Sequence, residues 1–273
     1  SSLGGVNRIA PIQTWAKFIK DSIENGLSKE NNLYSNLSFP VFFPEAHLIS
    51  VASEKKENLP NSIEIGCQSV HAHDIEKDVN FGAMTTSLPA SAAKELGCSW
   101  TIIGHSEERA KMLSLLKVAT VDDSTAQKTI NTYLNFQVKS AVKAGLKVLY
   151  CIGERSNEVS YTLDVISSQL SLGLTEVDSS KIVIAYEPIW AIGPGKTPPN
   201  SSKIREMALL IKNLYDAPVV YGGGLKKENA KEIGSISELD GGLIALTRFT
   251  EEIGFYPDEY LEIVKLYCEG GTL

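Results

Sequence analysis

Lys181-Ile182-Val183-Ile184-Ala185-Tyr186 runs straight into Glu187-Pro188-Ile189-Trp190-Ala191-Ile192-Gly193-Pro194-Gly195-Lys196-Thr197, and the two halves have unlike textures. After Lys181 the first half is apolar without alternation, which suits a strand buried on both faces. The second half opens on a carboxylate and carries prolines and glycines, as a strand-end loop would. The strand-like texture recurs at Phe39–Phe43, Ile63–Cys67, Trp100–Ile103, Lys147–Ile152, Pro218–Tyr221 and Gly242–Leu246. Between these runs lie amphipathic stretches at Pro89–Leu96, Ala126–Ala144, Tyr161–Leu172, Ser202–Leu214 and Lys226–Ile233. Strand and helix in alternation predict parallel βα units.

Seven strands are visible, whereas a closed α/β barrel needs eight. Upstream of Phe39 there is a predicted helix, Ile12–Asn25, preceded by Ser1–Pro11, which has no strand pattern. Either the barrel is incomplete or the visible sequence starts after its first strand, and the alternation favours the second reading. No linker rich in Gly, Ser and Pro divides the chain, so one domain over residues 1–273 is expected. Lys111–Thr125 stands out as an excess loop, and loops of that length are usually functional or mobile.

Of 273 residues, 43% are hydrophobic and 22% charged, enough apolar material for a substantial core. Asp and Glu number 33 against 26 Lys and Arg, a net charge of −7, which argues against nucleic acid or an anionic membrane as a general partner. An anionic substrate would need a local site. Cys67, Cys98, Cys151 and Cys268 have no CxxC spacing, no apolar run is long enough to span a bilayer, and no signal-peptide pattern is visible. A cytoplasmic protein is expected.

In a barrel of parallel strands the reactive groups gather where the strands end. Four polar clusters stand there: Gly104-His105-Ser106-Glu107-Glu108-Arg109, Gly153-Glu154-Arg155, the stretch from Glu187 to Thr197, and Gly222-Gly223-Gly224. Taken alone, a histidine after a strand is usually structural, a glutamate before a proline can simply start a helix, and glycine-rich turns are mostly just turns. Cys151 reads as a buried strand-end residue, and Glu154 and Arg155 as structural ion-pairing groups. His47, His71 and His73 do not assemble a metal-ligand set, and His71-x-His73 reads as a solvated loop.

Ala-Tyr-Glu-Pro-Ile-Trp-Ala-Ile-Gly-Pro-Gly-Lys-Thr (185–197), Gly-His-Ser-Glu (104–107), Cys-Ile-Gly-Glu (151–154) and Tyr-Gly-Gly (221–223) together resemble triosephosphate isomerases, in that family's order and from its second strand onward. The resemblance implies a TIM (β/α)8 barrel whose first strand is missing from the visible sequence. It implies that Glu187 removes a proton beside a carbonyl while the neutral imidazole of His105 stabilises the enediolate, the established division of labour in that family. Glu107 matches a carboxylate that supports the site. Ala191–Thr197 resembles the lid, with Gly193 offering a backbone N–H to phosphate, and Gly223 and Gly224 offering theirs from the next loop. No metal and no cofactor are implied. Phe81–Thr86 resembles the loop through which two subunits interlock, with Thr85 reaching the partner, so a homodimer is expected.

The departures cluster around the phosphate end. The family's Asn-x-Lys element has no counterpart, and the nearest basic residue, Arg8 in Gly4–Arg8, sits too close to the first helix. Gly224 replaces a serine, Ala245-Leu246 replace a glycine pair, Pro194 removes an N–H from the lid tip, Glu108 replaces an arginine, and Thr86-Ser87 replace Gly-Glu. The expected activity is interconversion of dihydroxyacetone phosphate and glyceraldehyde 3-phosphate. Two alternatives remain open: an isomerase of another short sugar phosphate, such as a four-carbon one, or a non-catalytic sugar-phosphate-binding barrel.

Overall fold

The computed structural model describes residues 9–30, 34, 36–52, 62–76, 78–80, 82, 84–193, 195–248 and 252–271. Gly4–Arg8, Phe81, Ala83 and Pro194, singled out above, lie outside the described residues. Strands β1 (Pro40–Phe43), β2 (Glu64–Gln68), β3 (Trp100–Ile103), β4 (Lys147–Ile152), β5 (Ile182–Tyr186), β6 (Val219–Tyr221) and β7 (Gly241–Gly242) pair in sequence order. Every pairing is parallel. The helices between them are α1 (Trp15–Leu27), α2 (Leu48–Ala52), α3 (Ala90–Glu95), α4 (Ser106–Val118), α5 (Asp123–Lys143), α6 (Thr162–Gly173), α7 (Ser201–Leu214), α8 (Ala230–Gly234) and α9 (Pro257–Gly270).

The continuous apolar texture of the strands follows from two cores. Along β4, Val148, Tyr150 and Ile152 pack into the large core shared with the helices, whereas Leu149 and Cys151 point the other way into a small inner cluster. Ile184 and Ala185 divide in the same manner on β5. Phe42 of β1 and Leu243, just beyond β7, both pack on that inner cluster. A flat sheet would hold its first and last strands far apart, so the shared cluster means that the sheet curls into a barrel wall. Among the described residues no pairing joins β7 to β1.

Three expectations are corrected. Lys111–Thr125 is not a loop, because α4 runs to Val118 and α5 starts at Asp123, capped by Asp122, whose side chain accepts the Thr125 N–H at 3.0 Å. Ala, Lys, Met and Leu favour helix strongly, but Met112, Leu113, Leu115, Leu116 and Val118 surround α4 instead of forming one stripe, and this hid its period. The run Gly242–Leu246 is likewise not a strand: pairing covers Gly241–Gly242 and ends with the Leu243 N–H on the Tyr221 carbonyl. A strand with a neighbour on one side only has half the ladder to hold it. The first helix also starts and ends later than its apolar pattern indicates, at Trp15 and Leu27.

Candidate active site

Gly104 leaves β3 with φ +78°, a left-handed conformation that suits glycine, and turns the chain so that His105 becomes the N-cap of α4. The Glu107 N–H donates to His105 Nδ1 at 3.3 Å. An imidazole that accepts at Nδ1 carries its proton on Nε2, and Nε2 lies 3.3 Å from Glu187 Oε1. His105 is one-third exposed, whereas the Glu187 side chain is 4% exposed. Solvent therefore reaches the pair from the imidazole side.

Glu187 is the first residue after β5, and its own N–H is tied to the Ile152 carbonyl of β4 at 2.8 Å. Its Oε2 accepts the Ser106 N–H at 3.2 Å, from the first turn of α4. Burial raises the pKa of this carboxyl; the nearby His105 and the Ser106 N–H act in the opposite direction without cancelling it. Two glycines make room: a Cβ at Gly153 would lie 1.7 Å from the Glu187 carbonyl oxygen, and one at Gly222 would lie 3.0 Å from Glu187 Cγ. Cys151 is fully buried, and burial together with the Glu187 charge pushes its thiol pKa up, so it is no thiolate nucleophile.

Behind this pair sits Glu154, 1% exposed, whose Oε1 accepts from the Tyr186 hydroxyl (3.0 Å) and the Trp190 indole N–H (2.7 Å). Its Oε2 is buried with no hydrogen-bond partner among the described residues. Glu154 was expected to pair with a cation and instead anchors the short helical turn Ile189–Ala191. Arg155 does ion-pair, with Asp123 and Glu158. Beyond the turn, Gly193 (φ +116°) and Gly195 (φ +74°) stand in open space.

The predicted residues divide. His105 and Glu187 meet directly. Glu107 contributes its backbone N–H to His105, but its carboxylate is exposed and makes no hydrogen bond or ion pair among the described residues. Gly223 is buried, its carbonyl accepting the Tyr221 hydroxyl at 2.7 Å, and a Cβ there would lie 2.7 Å from Pro188 Cγ, so it packs against Pro188 just before the Ile189–Ala191 turn. Gly224 (φ +95°) stays half-exposed, its carbonyl bonded by the Asn229 side chain. Past β7, Ala245 is exposed and Leu246 half-buried; Arg248 turns away to pair with Glu259 at 2.5 Å and stack on Tyr256. Ser106, Arg109 and Gly153 were not singled out as site residues. Ser106 and Arg109 stood within the polar cluster after β3, and that density was the available signal.

The triosephosphate isomerase family model matches residues 13–264. A triosephosphate isomerase of Chlorobium chlorochromatii is 35% identical over 209 residues, covering 72% of this chain and 74% of the relative. One of Emericella nidulans is 33% identical over 227 residues, 78% of this chain and 81% of the relative. Among solved structures, triosephosphate isomerase from Bartonella henselae superposes with a TM-score of 0.68 at 23% identity, covering 96% of this chain and 95% of that one. This structural likeness carries the barrel fold.

Proposed function

Because the chain belongs to the triosephosphate isomerase family, we propose that it interconverts dihydroxyacetone phosphate and glyceraldehyde 3-phosphate, with Glu187 as base and His105 as electrophile. The observation that carries this reading is the 3.3 Å contact between Glu187 Oε1 and His105 Nε2 at the carboxyl ends of β3 and β5. A substrate has to part the two groups, after which its carbonyl oxygen faces Nε2–H and the adjacent carbon faces the carboxylate. Glu187 takes the proton from that carbon, and the carbonyl electrons move onto oxygen, where Nε2–H stabilises the enediolate. The same carboxyl then returns the proton to the former carbonyl carbon, with a further proton passing between the oxygens. No cofactor enters these steps. Gly193, Gly223 and Gly224 surround the lid end, where the phosphate would bind, with Gly223 fixing the lid base and Gly193 and Gly224 the open positions.

A second substrate, a four-carbon sugar phosphate, is favoured by the phosphate end itself. Gly224 brings no hydroxyl, Leu246 stands half-buried in the segment after β7, and Arg248 is paired with Glu259. An assay of the full-length chain on three- and four-carbon sugar phosphates decides. Turnover of the trioses supports the first reading, turnover of the tetroses alone supports the second, and none at all supports the non-catalytic binding barrel.

A homodimer belongs to the same proposal. A cleft of about 590 Å³, lined among others by Ser69, Thr86, Met112, Leu115, Leu116 and Tyr133, opens beside the exposed loop that carries Thr85. Leu115, 65% exposed, would be covered by the same loop of a second copy.

A further inference from the structure

Glu108 stands where the family carries an arginine, and the mechanism above leaves it unused. It sits in the first turn of α4, half-buried, with its carboxylate turned back toward the strand end. Glu108 Oε2 accepts the Gly104 N–H at 2.7 Å. Its other oxygen accepts from the Ser69 hydroxyl at 2.6 Å and the Gln137 amide at 3.0 Å, so three donors from three separate segments converge on one carboxylate. The Gln137 amide also reaches the Val70 carbonyl at 2.7 Å. Arg109 holds the next peptide from the other side, its Nε donating to the Gly104 carbonyl at 2.7 Å.

The two peptides before His105 are therefore fixed independently, Ile103–Gly104 by Glu108 and Gly104–His105 by Arg109. Gly104 has no freedom to relax by carrying a side chain, since a Cβ there would lie 2.9 Å from the Cys151 carbonyl oxygen. Arg109 is itself anchored on Asn131, Tyr150 and the Cys151 carbonyl. Ser69 holds a left-handed backbone conformation, φ +73°, which a non-glycine residue keeps only when its surroundings over-determine it. Its bond to Glu108 is one such determinant.

We propose that Glu108 is a positioning residue, which sets the direction of the His105 imidazole by holding the Gly104 N–H and ties that direction to the loop at Ser69. A carboxylate suits the position because it accepts from all three donors at once. An arginine has no acceptor and would leave Gly104 without this bond. The inference rests on the reading of His105 as electrophile, but its main readout does not depend on turnover.

The test compares Glu108→Gln with Glu108→Met in the full chain. Both remove the charge and keep the length, but only glutamine retains an oxygen for Gly104. In protein labelled with 15N-histidine, the His105 imidazole signals, assigned by their loss in His105→Gln, should stay near wild type in Glu108→Gln and shift or broaden in Glu108→Met. With substrate, Glu108→Met should lower kcat roughly 10- to 100-fold with KM little changed, while Glu108→Gln stays within about threefold. Identical His105 signals in the two variants would overturn the inference. Should Glu108→Met fail to fold, the Gly104 amide carries the test: its proton signal should move upfield in Glu108→Gln, and an unmoved signal overturns the inference. A wild-type chain inactive on every sugar phosphate would remove the isomerase reading and leave the imaging of His105 by these signals intact.

Discussion

A carboxylate withdrawn from water is a stronger base and a burden on the fold, and Glu187 carries both consequences. Its pKa in the folded chain is raised, chiefly by burial. A carboxyl raised above its ordinary value, about 4.3, stabilises the fold below that value and loses the contribution as pH rises through the folded pKa. At neutral pH Glu187→Gln should therefore raise the melting temperature, by roughly 2–4 °C for each kcal/mol relieved, with the gain fading toward pH 4. A melting temperature unchanged across that range would mean that the charge is not strained. Activity should follow the opposite sign: it rises with pH as Glu187 ionises, and the acid limb of kcat/KM should lie above the ordinary carboxylate range. Glu187→Asp should keep the fold and lower kcat about 100-fold or more, since a shorter side chain misplaces the base by about 1 Å. Unchanged turnover in that variant would take Glu187 out of the mechanism.

At the scale of elements, three adjacent strand ends decide where the base points. Gly153, after β4, meets backbone: a methyl group there would collide with the Glu187 carbonyl at 1.7 Å. A Cβ at Gly222, after β6, would press closest on the Glu187 side chain, at 3.0 Å, with Leu243 and the Tyr186 carbonyl only at ordinary contact distance, 3.4 and 3.5 Å. Gly153→Ala should thus destabilise the chain by several kcal/mol, visible in denaturant unfolding. Gly222→Ala should keep nearly the wild-type unfolding midpoint and lose turnover as Glu187 is nudged aside. Equal unfolding losses in the two variants would contradict this division.

These strands were legible in the sequence because burial on both faces leaves an unbroken apolar run, and Trp100–Ile103 and Lys147–Ile152 fall where their runs do. Helix α4 was not, because Leu115 and Val118 point outward and blur its stripe. The meeting of His105 with Glu187 was legible as motifs. The Ser106 N–H on Glu187 and the Glu108 clamp on Gly104 were not, since bonds to backbone N–H groups leave no mark on composition or spacing.

Taken whole, the molecule is a curled sheet wrapped by helices, acidic by seven charges, with His105 and Glu187 in contact at the carboxyl ends of its strands. We propose that residues 1–273 fold as one domain, because the large core takes side chains from α1 through α9. A single unfolding transition by calorimetry, coincident with loss of near-ultraviolet circular dichroism, is expected; two separate transitions would divide the chain. The proposed dimer should sediment at twice the chain mass, and Leu115→Glu in the cleft should shift it toward monomer.

We propose that Glu187 carries a hydrogen between adjacent carbons of a small sugar phosphate. Its most direct test is isomerisation of dihydroxyacetone phosphate, and of a four-carbon ketose phosphate, in heavy water, with the product read by NMR. Deuterium is expected on the carbon beside the carbonyl with the wild-type chain, and none above background with Glu187→Gln. Deuterium appearing at the same rate in both, or in neither, would contradict it.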